Sequence, residues 1–184
     1  YPTEIEFKEA SLFDYMSRAV MRAESRTEKY PDGGDYNAVA FDPGRKARKS
    51  DRAVTQNTVG QNAKQFGESK GLGAFQMDVH HMLPLVRKYM GQNKKWLYSQ
   101  SFSPVFQDQM FYFSLLNGRM MDLLTGEITE NEFYSNIIKK WPSLPGPNQK
   151  KGDVTVGENR ATVDRLDLSG ILNLKVPPGL LSRP

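Results

Sequence analysis

Residues 9–25 read EASLFDYMSRAVMRAES, and this stretch sets the frame for the rest of the chain. Leu12, Tyr15, Met16, Ala19, Val20 and Ala23 recur at the i, i+3, i+4, i+7 spacing of an amphipathic helix. The pattern predicts a helix over 9–24, with Ser11 as its cap and Asp14 completing an approximate capping box. It stops soon after Glu24, because Tyr30-Pro31-Asp32-Gly33-Gly34-Asp35 is turn chemistry. Leu12, Met16, Val20 and Glu24 are spaced by four, so they lie along one row of the helix. A carboxylate that ends an apolar row is partly desolvated, which disfavours its charged form. A carboxylic acid kept neutral is what protonation of a glycosidic oxygen requires. The plainer alternative is a helix-end Glu paired with Arg26 or Lys29.

Beyond this helix, residues 30–70 are rich in Gly, Asn, Asp, Lys and Gln, with short apolar pieces at Ala38–Phe41 and Val54. The expectation is a small β-hairpin or irregular sheet with a mobile basic loop, and a loop region of this length is often functional. Gly71-Leu72-Gly73-Ala74-Phe75-Gln76-Met77 then leads into a second helix over about 74–90, which Pro84 either enters early or breaks. Ser103 as cap and Pro104 at the first position start a third helix, apolar on most sides and stopped by Asn117-Gly118. A short helix follows at 119–124, ended by Gly126. The next has Thr129 and Glu132 as a capping box and runs to Trp141-Pro142. Residues 142–152, rich in Pro, Gly and Lys, mark a boundary. The tail holds a helix at about 158–168 and an extended end at Val176-Pro177-Pro178-Gly179. The fold class is therefore mainly α (α+β), with a small irregular or β lobe inserted after the first helix. Residues 1–150 form the main domain, and 151–184 a C-terminal extension packed on it.

Composition narrows the chemistry. The 184 residues are 38% apolar and 25% charged, enough for one core. No cysteine is present, which excludes disulfides, thiolate nucleophiles and Cys-based zinc sites. The two histidines, His80 and His81, are adjacent and point about 100° apart on a helix, so they do not form a metal pair. No H-E-x-x-H is present, and no metal or other cofactor is expected. No apolar run approaches membrane-spanning length, and no signal peptide is read at Tyr1. The net charge is +4, and Arg45, Lys46, Arg48, Lys49 and Arg52 concentrate much of it against Asp51 alone. That run suits either a solvated loop or contact with a polyanion, and no nucleic-acid motif accompanies it.

The segment around Gly71 and Gly73 has no third glycine, no Lys-Ser/Thr and no preceding strand, so it is not a nucleotide loop. Its glycines let backbone approach a bulky ligand, and Gln76 then offers hydrogen bonds to an amide or hydroxyl.

Three segments combine at this point: Ala23-Glu24-Ser25, Gly73-Ala74-Phe75-Gln76, and Trp141-Pro142-Ser143-Leu144-Pro145-Gly146. Together they resemble the lambda-type phage endolysins, lytic transglycosylases of the lysozyme-like superfamily. Phe102-Ser103-Pro104 followed by Gln107-Asp108 is similar to a later segment of that group. Glu-Ser followed by Gly-x-x-Gln recurs in goose-type lysozymes and soluble lytic transglycosylases. The resemblance covers about residues 10–150.

It implies a two-lobed fold with a catalytic cleft between the lobes. Glu24 would be the catalytic acid and base, cleaving the MurNAc–GlcNAc bond to leave 1,6-anhydro-MurNAc ends. Ser25, Tyr36, Gly73, Phe75 and Gln76 would bind substrate, with Tyr30 and Trp141 as further sugar contacts or, for Trp141, core. The expected partner is bacterial peptidoglycan, with other virion proteins as a second possibility, no nucleic acid and no membrane insertion. The expected chain is monomeric and phage-encoded, acting from the host cytoplasm on the periplasmic wall or carried in the virion.

Two departures from the related enzymes stand out. There is no Ala-Tyr-Asn segment, and the position nine after Glu24, Asp in phage lysozymes of the T-even type, is Gly33. Asp32, Asp35 and Asp42 are near enough in sequence to be a second carboxylate for a muramidase. A peptidoglycan endopeptidase and a non-catalytic virion protein are the remaining alternatives.

Overall fold

A computed structural model describes residues 3–40, 48–144, 155–156, 159–160 and 167–175. Among the described residues the chain is mainly helical, with nine helices and two short antiparallel strand pairs. It divides into two compact units, one of residues 1–19 with 115–184 and the other of residues 20–114.

The first helix, α1 (Glu4–Glu24), starts earlier than the sequence pattern predicts. Thr3 and Glu6 exchange bonds: the Thr3 amide donates to Glu6 Oε2 at 2.6 Å and the Glu6 amide to Thr3 Oγ1 at 3.2 Å. This satisfies orphan donors of the first turn, where Glu4 and Glu6 also complement the helix dipole. Ser11 is therefore not the cap; it lies inside the helix and donates to the Phe7 carbonyl at 2.9 Å. The apolar row is as expected, with Leu12, Met16 and Val20 each 0% exposed.

In the unit of residues 20–114, the strands paired among the described residues are β1 (Ala38–Val39) and β2 (Lys49–Ser50), a small antiparallel pair with Ala38 opposite Ser50. Helices α2 (Ala53–Gln56) and α3 (Val59–Phe66) occupy much of the stretch assigned to irregular sheet. The signal for α3 was Thr58-x-x-Gln61, which closes a complete capping box. Few apolar residues follow it, so periodicity could not register the helix.

The second expected helix begins later, as α4 (Val79–Met90), because the Asp78 side chain caps it by accepting from the His81 amide at 2.7 Å. Residues 71–77 instead form a turn in which Leu72 bridges both Val39 and Met77. Pro84 stands inside α4 without breaking it, and Gly91 ends it in the left-handed conformation, φ 62°. A further helix, α5 (Lys94–Ser99), starts on an Asn93 cap. The next, α6 (Pro104–Asn117), begins where the sequence places it, with Ser103 Oγ accepting from the Phe106 amide at 3.2 Å. Phe106, Met110 and Phe111 are buried along it, as is the polar Gln107.

In the other unit, α7 (Met120–Leu124) and α8 (Glu130–Ile137) follow, the latter on the expected Thr129–Glu132 capping box. That helix ends four residues before Trp141, which is buried in the turn beyond it. Gly118 is required between α6 and α8, since a Cβ there would meet Ile137 Cδ1 at 2.6 Å. The strands β3 (Thr155–Val156) and β4 (Asn159–Arg160) pair antiparallel, so the helix expected at 158–168 is not present at Asn159–Arg160. A last short helix, α9 (Ser169–Leu172), follows Leu168, which is 0% exposed and whose amide donates to Glu130 Oε1 at 3.1 Å. Asp42, Arg45, Lys46, Pro145, Gly146, most of 158–168 and Val176–Gly179 lie outside the described residues. Among the described residues no helix is long and apolar enough to cross a membrane.

Candidate active site

Glu24 is the last residue of α1 and is buried, 8% exposed, at the end of its apolar row. Ser25 next to it is fully buried and ties two pieces of backbone together. Its hydroxyl donates to the Met21 carbonyl at 3.0 Å and accepts from the Gly34 amide at 2.9 Å. The turn that returns against the helix end is built on glycine. At Gly33, φ is 88° and a Cβ would lie 2.2 Å from the Met21 carbonyl oxygen, so no other residue fits without displacing the chain. An aspartate, like any residue with a side chain, is thus excluded at this position by backbone geometry.

Arg48 reaches this end of α1 from the entry to β2. Its Nη2 donates to Glu24 Oε2 at 3.1 Å, and its Nη1 to the Ala23 carbonyl at 3.5 Å. Its Nε donates to Gln76 Oε1 at 3.3 Å. Burial pushes the Arg48 guanidinium's proton affinity down, while the Glu24 charge pulls it back up. In the sequence Arg48 reads as one member of a basic run. The structure separates that run: Arg48 is turned inward, while Lys49 and Arg52 are exposed. A parallel bridge between Thr27 and Arg48 aligns the backbone for this.

Gln76 lies in the turn after Gly73 and has φ 50°, one of two non-glycine residues with positive φ among the described residues. Its Nε2 donates to the Gly73 carbonyl at 2.9 Å and the Ala38 carbonyl at 3.3 Å. Gly73 has φ 78°, and a Cβ on it would fall 2.0 Å from Gln107 Oε1. Gln107 fixes the whole turn. Its Oε1 accepts from the Ala74 amide at 2.9 Å, and its Nε2 donates to the Tyr36 and Phe102 carbonyls, each at 3.1 Å. Gln107 is not among the expected substrate-binding residues; in the sequence it stands out only in the Phe102-Ser103-Pro104 and Gln107-Asp108 segment that resembles the endolysins.

The other expected residues fall into distinct places. Phe75 is 1% exposed and stacks on Phe111 at 4.2 Å between ring centroids, so its ring offers no face to a sugar. Trp141 is likewise core, 1% exposed. Tyr36 is half-buried, its ring edge-on to Phe75, and its hydroxyl donates to Asp108 Oδ1 at 2.8 Å. Burial, then the Asp108 hydrogen bond, pushes the Tyr36 hydroxyl pKa upward. Burial also raises the Asp108 carboxyl, against the opposing effect of the Tyr36 bond.

Asp35 is 1% exposed, and both its oxygens are engaged. Oδ2 accepts from Thr27 Oγ1 at 2.8 Å and Oδ1 from the Asn37 amide at 2.9 Å. It acts as a loop tie rather than as an available second carboxylate. Asp32 and Tyr30 are exposed. His80 is exposed, while His81 Nε2 lies 2.8 Å from Ser114 Oγ. Among the described residues no group of three or more His, Cys, Asp or Glu side chains is placed to hold a metal ion.

Comparison with protein-family models, curated proteins and solved structures found no match to this chain.

Proposed function

We propose that the protein degrades peptidoglycan by cleaving the MurNAc–GlcNAc glycosidic bond as a lytic transglycosylase. The observation that carries this reading is the meeting of Glu24, at a buried helix end, with the Gly73–Gln76 turn through the single side chain of Arg48. Glu24-Ser25 and Gly73-x-x-Gln76 are the segments on which the resemblance to lambda-type endolysins rests, and they are far apart in sequence. The lysozyme-like two-lobed fold, the cleft and the phage origin belong to the same proposal.

In this chemistry the protonated Glu24 carboxyl gives its proton to the glycosidic oxygen as the C1–O bond of MurNAc breaks. The resulting carboxylate takes the proton of the C6 hydroxyl as O6 bonds to C1. The 1,6-anhydro ring closes, no water enters, and Glu24 ends as it began. One carboxylate is enough, which agrees with Asp35 being committed to Thr27 and Asn37. Exposed Tyr30 and half-buried Tyr36 and Gln76 are the side chains with surface left for a sugar.

Mass spectrometry of fragments released from purified peptidoglycan tests this directly. The expected products end in 1,6-anhydro-MurNAc, lighter by one water than hydrolytic products. Reducing ends would instead make the protein a muramidase and point to Asp32 as partner of Glu24. Free stem peptides, or wall binding without fragments, would overturn the proposal.

A further inference from the structure

We infer that Arg48 is a positioning residue that holds the Glu24 carboxylate in register with the Gly73–Gln76 turn and favours its charged form as the proton leaves. This rests on the function proposed above. All three guanidinium nitrogens are used, one each on Glu24, Ala23 and Gln76. The planar fork sets these contacts in one geometry, so the acid cannot turn without disturbing the turn. The ion pair is also covered: the Arg48 side chain is 14% exposed and that of Glu24 10%. Guanidinium has no lone pair and does not release its proton in proteins, so Arg48 is not a second acid or base.

Its effect falls on the rate. A guanidinium bonds a carboxylate more strongly than a neutral carboxyl group. Glu24 has to be neutral to give its proton and is charged afterwards, the state in which the Arg48 ion pair is complete. The contact therefore strengthens along the first step, and an interaction stronger in the transition state raises kcat rather than lowering KM.

The test is fragment release from purified peptidoglycan by wild type, Arg48→Ala, Arg48→Lys and Glu24→Gln. Arg48→Ala should lower kcat by about 10–100-fold with KM within about threefold, the scale of a misplaced acid. Added guanidinium chloride should restore part of the Arg48→Ala rate, while equal sodium chloride should not, and Glu24→Gln should show no rescue. A purely structural arginine would not respond to guanidinium. Unchanged kcat in Arg48→Ala, a loss confined to KM, or a loss without guanidinium rescue would overturn the inference while leaving the proposed function standing. If Arg48→Ala does not fold, Arg48→Lys against Arg48→Met decides. A lysine variant much faster than the methionine variant supports the role, and equal rates overturn it. A wild type that releases no fragments removes the proposed function and this inference with it.

Discussion

Glu24 and Glu68 each meet a cation, Arg48 at 3.1 Å and Lys94 at 2.7 Å, and the shorter contact is the weaker one. The Lys94 and Glu68 side chains are 45% and 37% exposed, so water and salt screen their attraction, and Tyr98 shares the Glu68 carboxylate. The Arg48 and Glu24 side chains are 14% and 10% exposed. Little water replaces either partner if the other is lost, so breaking this pair costs more than breaking an exposed one. The first pair decorates a surface; the second commits the fold to one arrangement around an acid. Contact distance does not distinguish them, whereas burial does.

The largest expected effect separates the two carboxylates by activity. Glu24→Gln should lower fragment release by about a thousandfold or more, within the range of general acid–base catalysis, with the melting curve still cooperative. Glu68→Gln should release fragments at the wild-type rate. Equal losses in both variants would break the comparison.

Stability sharpens it next. Arg48→Met should cost about 2 kcal/mol in urea unfolding, below the full range for buried pairs because both partners keep some exposure. Lys94→Met should shift the urea midpoint by much less than Arg48→Met does.

A glycine pair probes the packing behind the buried site. Both Gly73 and Gly67 have positive φ, 78° and 97°. A Cβ at Gly73 would collide with Gln107, whereas at Gly67 it would meet nothing within 4 Å. Gly73→Ala should therefore cost about 2–3 kcal/mol, strain and collision together, and slow fragment release. Gly67→Ala should cost about 1 kcal/mol from backbone strain alone. Equal urea midpoints for the two variants would show that the Gln107 clamp yields.

The smallest effect concerns pH. The Glu68 carboxyl is held below its ordinary 4.5, first by Lys94 and then by Tyr98. Its contribution to stability is present above the unfolded-state value, and it is lost as pH falls through the lower folded-state value. Unfolding of wild type and Glu68→Gln followed from pH 6 downward should converge below that point, and added salt should shrink the difference at every pH.

Much of this architecture was legible because it is written in local chemistry. Ser103-Pro104 and Thr129-x-x-Glu132 start helices through bonds that close within three or four residues, so spacing alone reveals them. The row ending in Glu24 was readable for the same reason. Misreadings came where two local signals competed. Thr3 outbid Ser11 as the start of α1, and Asp78 delayed α4 to Val79.

The site was legible only in part. Glu24 stood out by its row. In the sequence Phe75 reads as a sugar contact and Asp35 as a candidate second carboxylate, although an aromatic ring serves a sugar or a core equally well, and a carboxylate serves catalysis or a loop tie equally well. Only Phe111 across from one ring, and Thr27 and Asn37 across from one carboxylate, decided between them.

By itself, then, the sequence determined where α6 and α8 begin, which face of α1 is apolar, and that an acid ends that face. Hydrogen-bonded caps and side-chain periodicity act between near neighbours and need no knowledge of the rest of the chain. The tertiary structure alone decided that Arg48 leaves its basic run to meet Glu24 and Gln76, and that Gln107 fills the space a side chain at Gly73 would need. Whether a charge is solvated or buried depends on what the fold sets opposite it, and for Arg48 those groups lie 24 and 28 residues away along the chain.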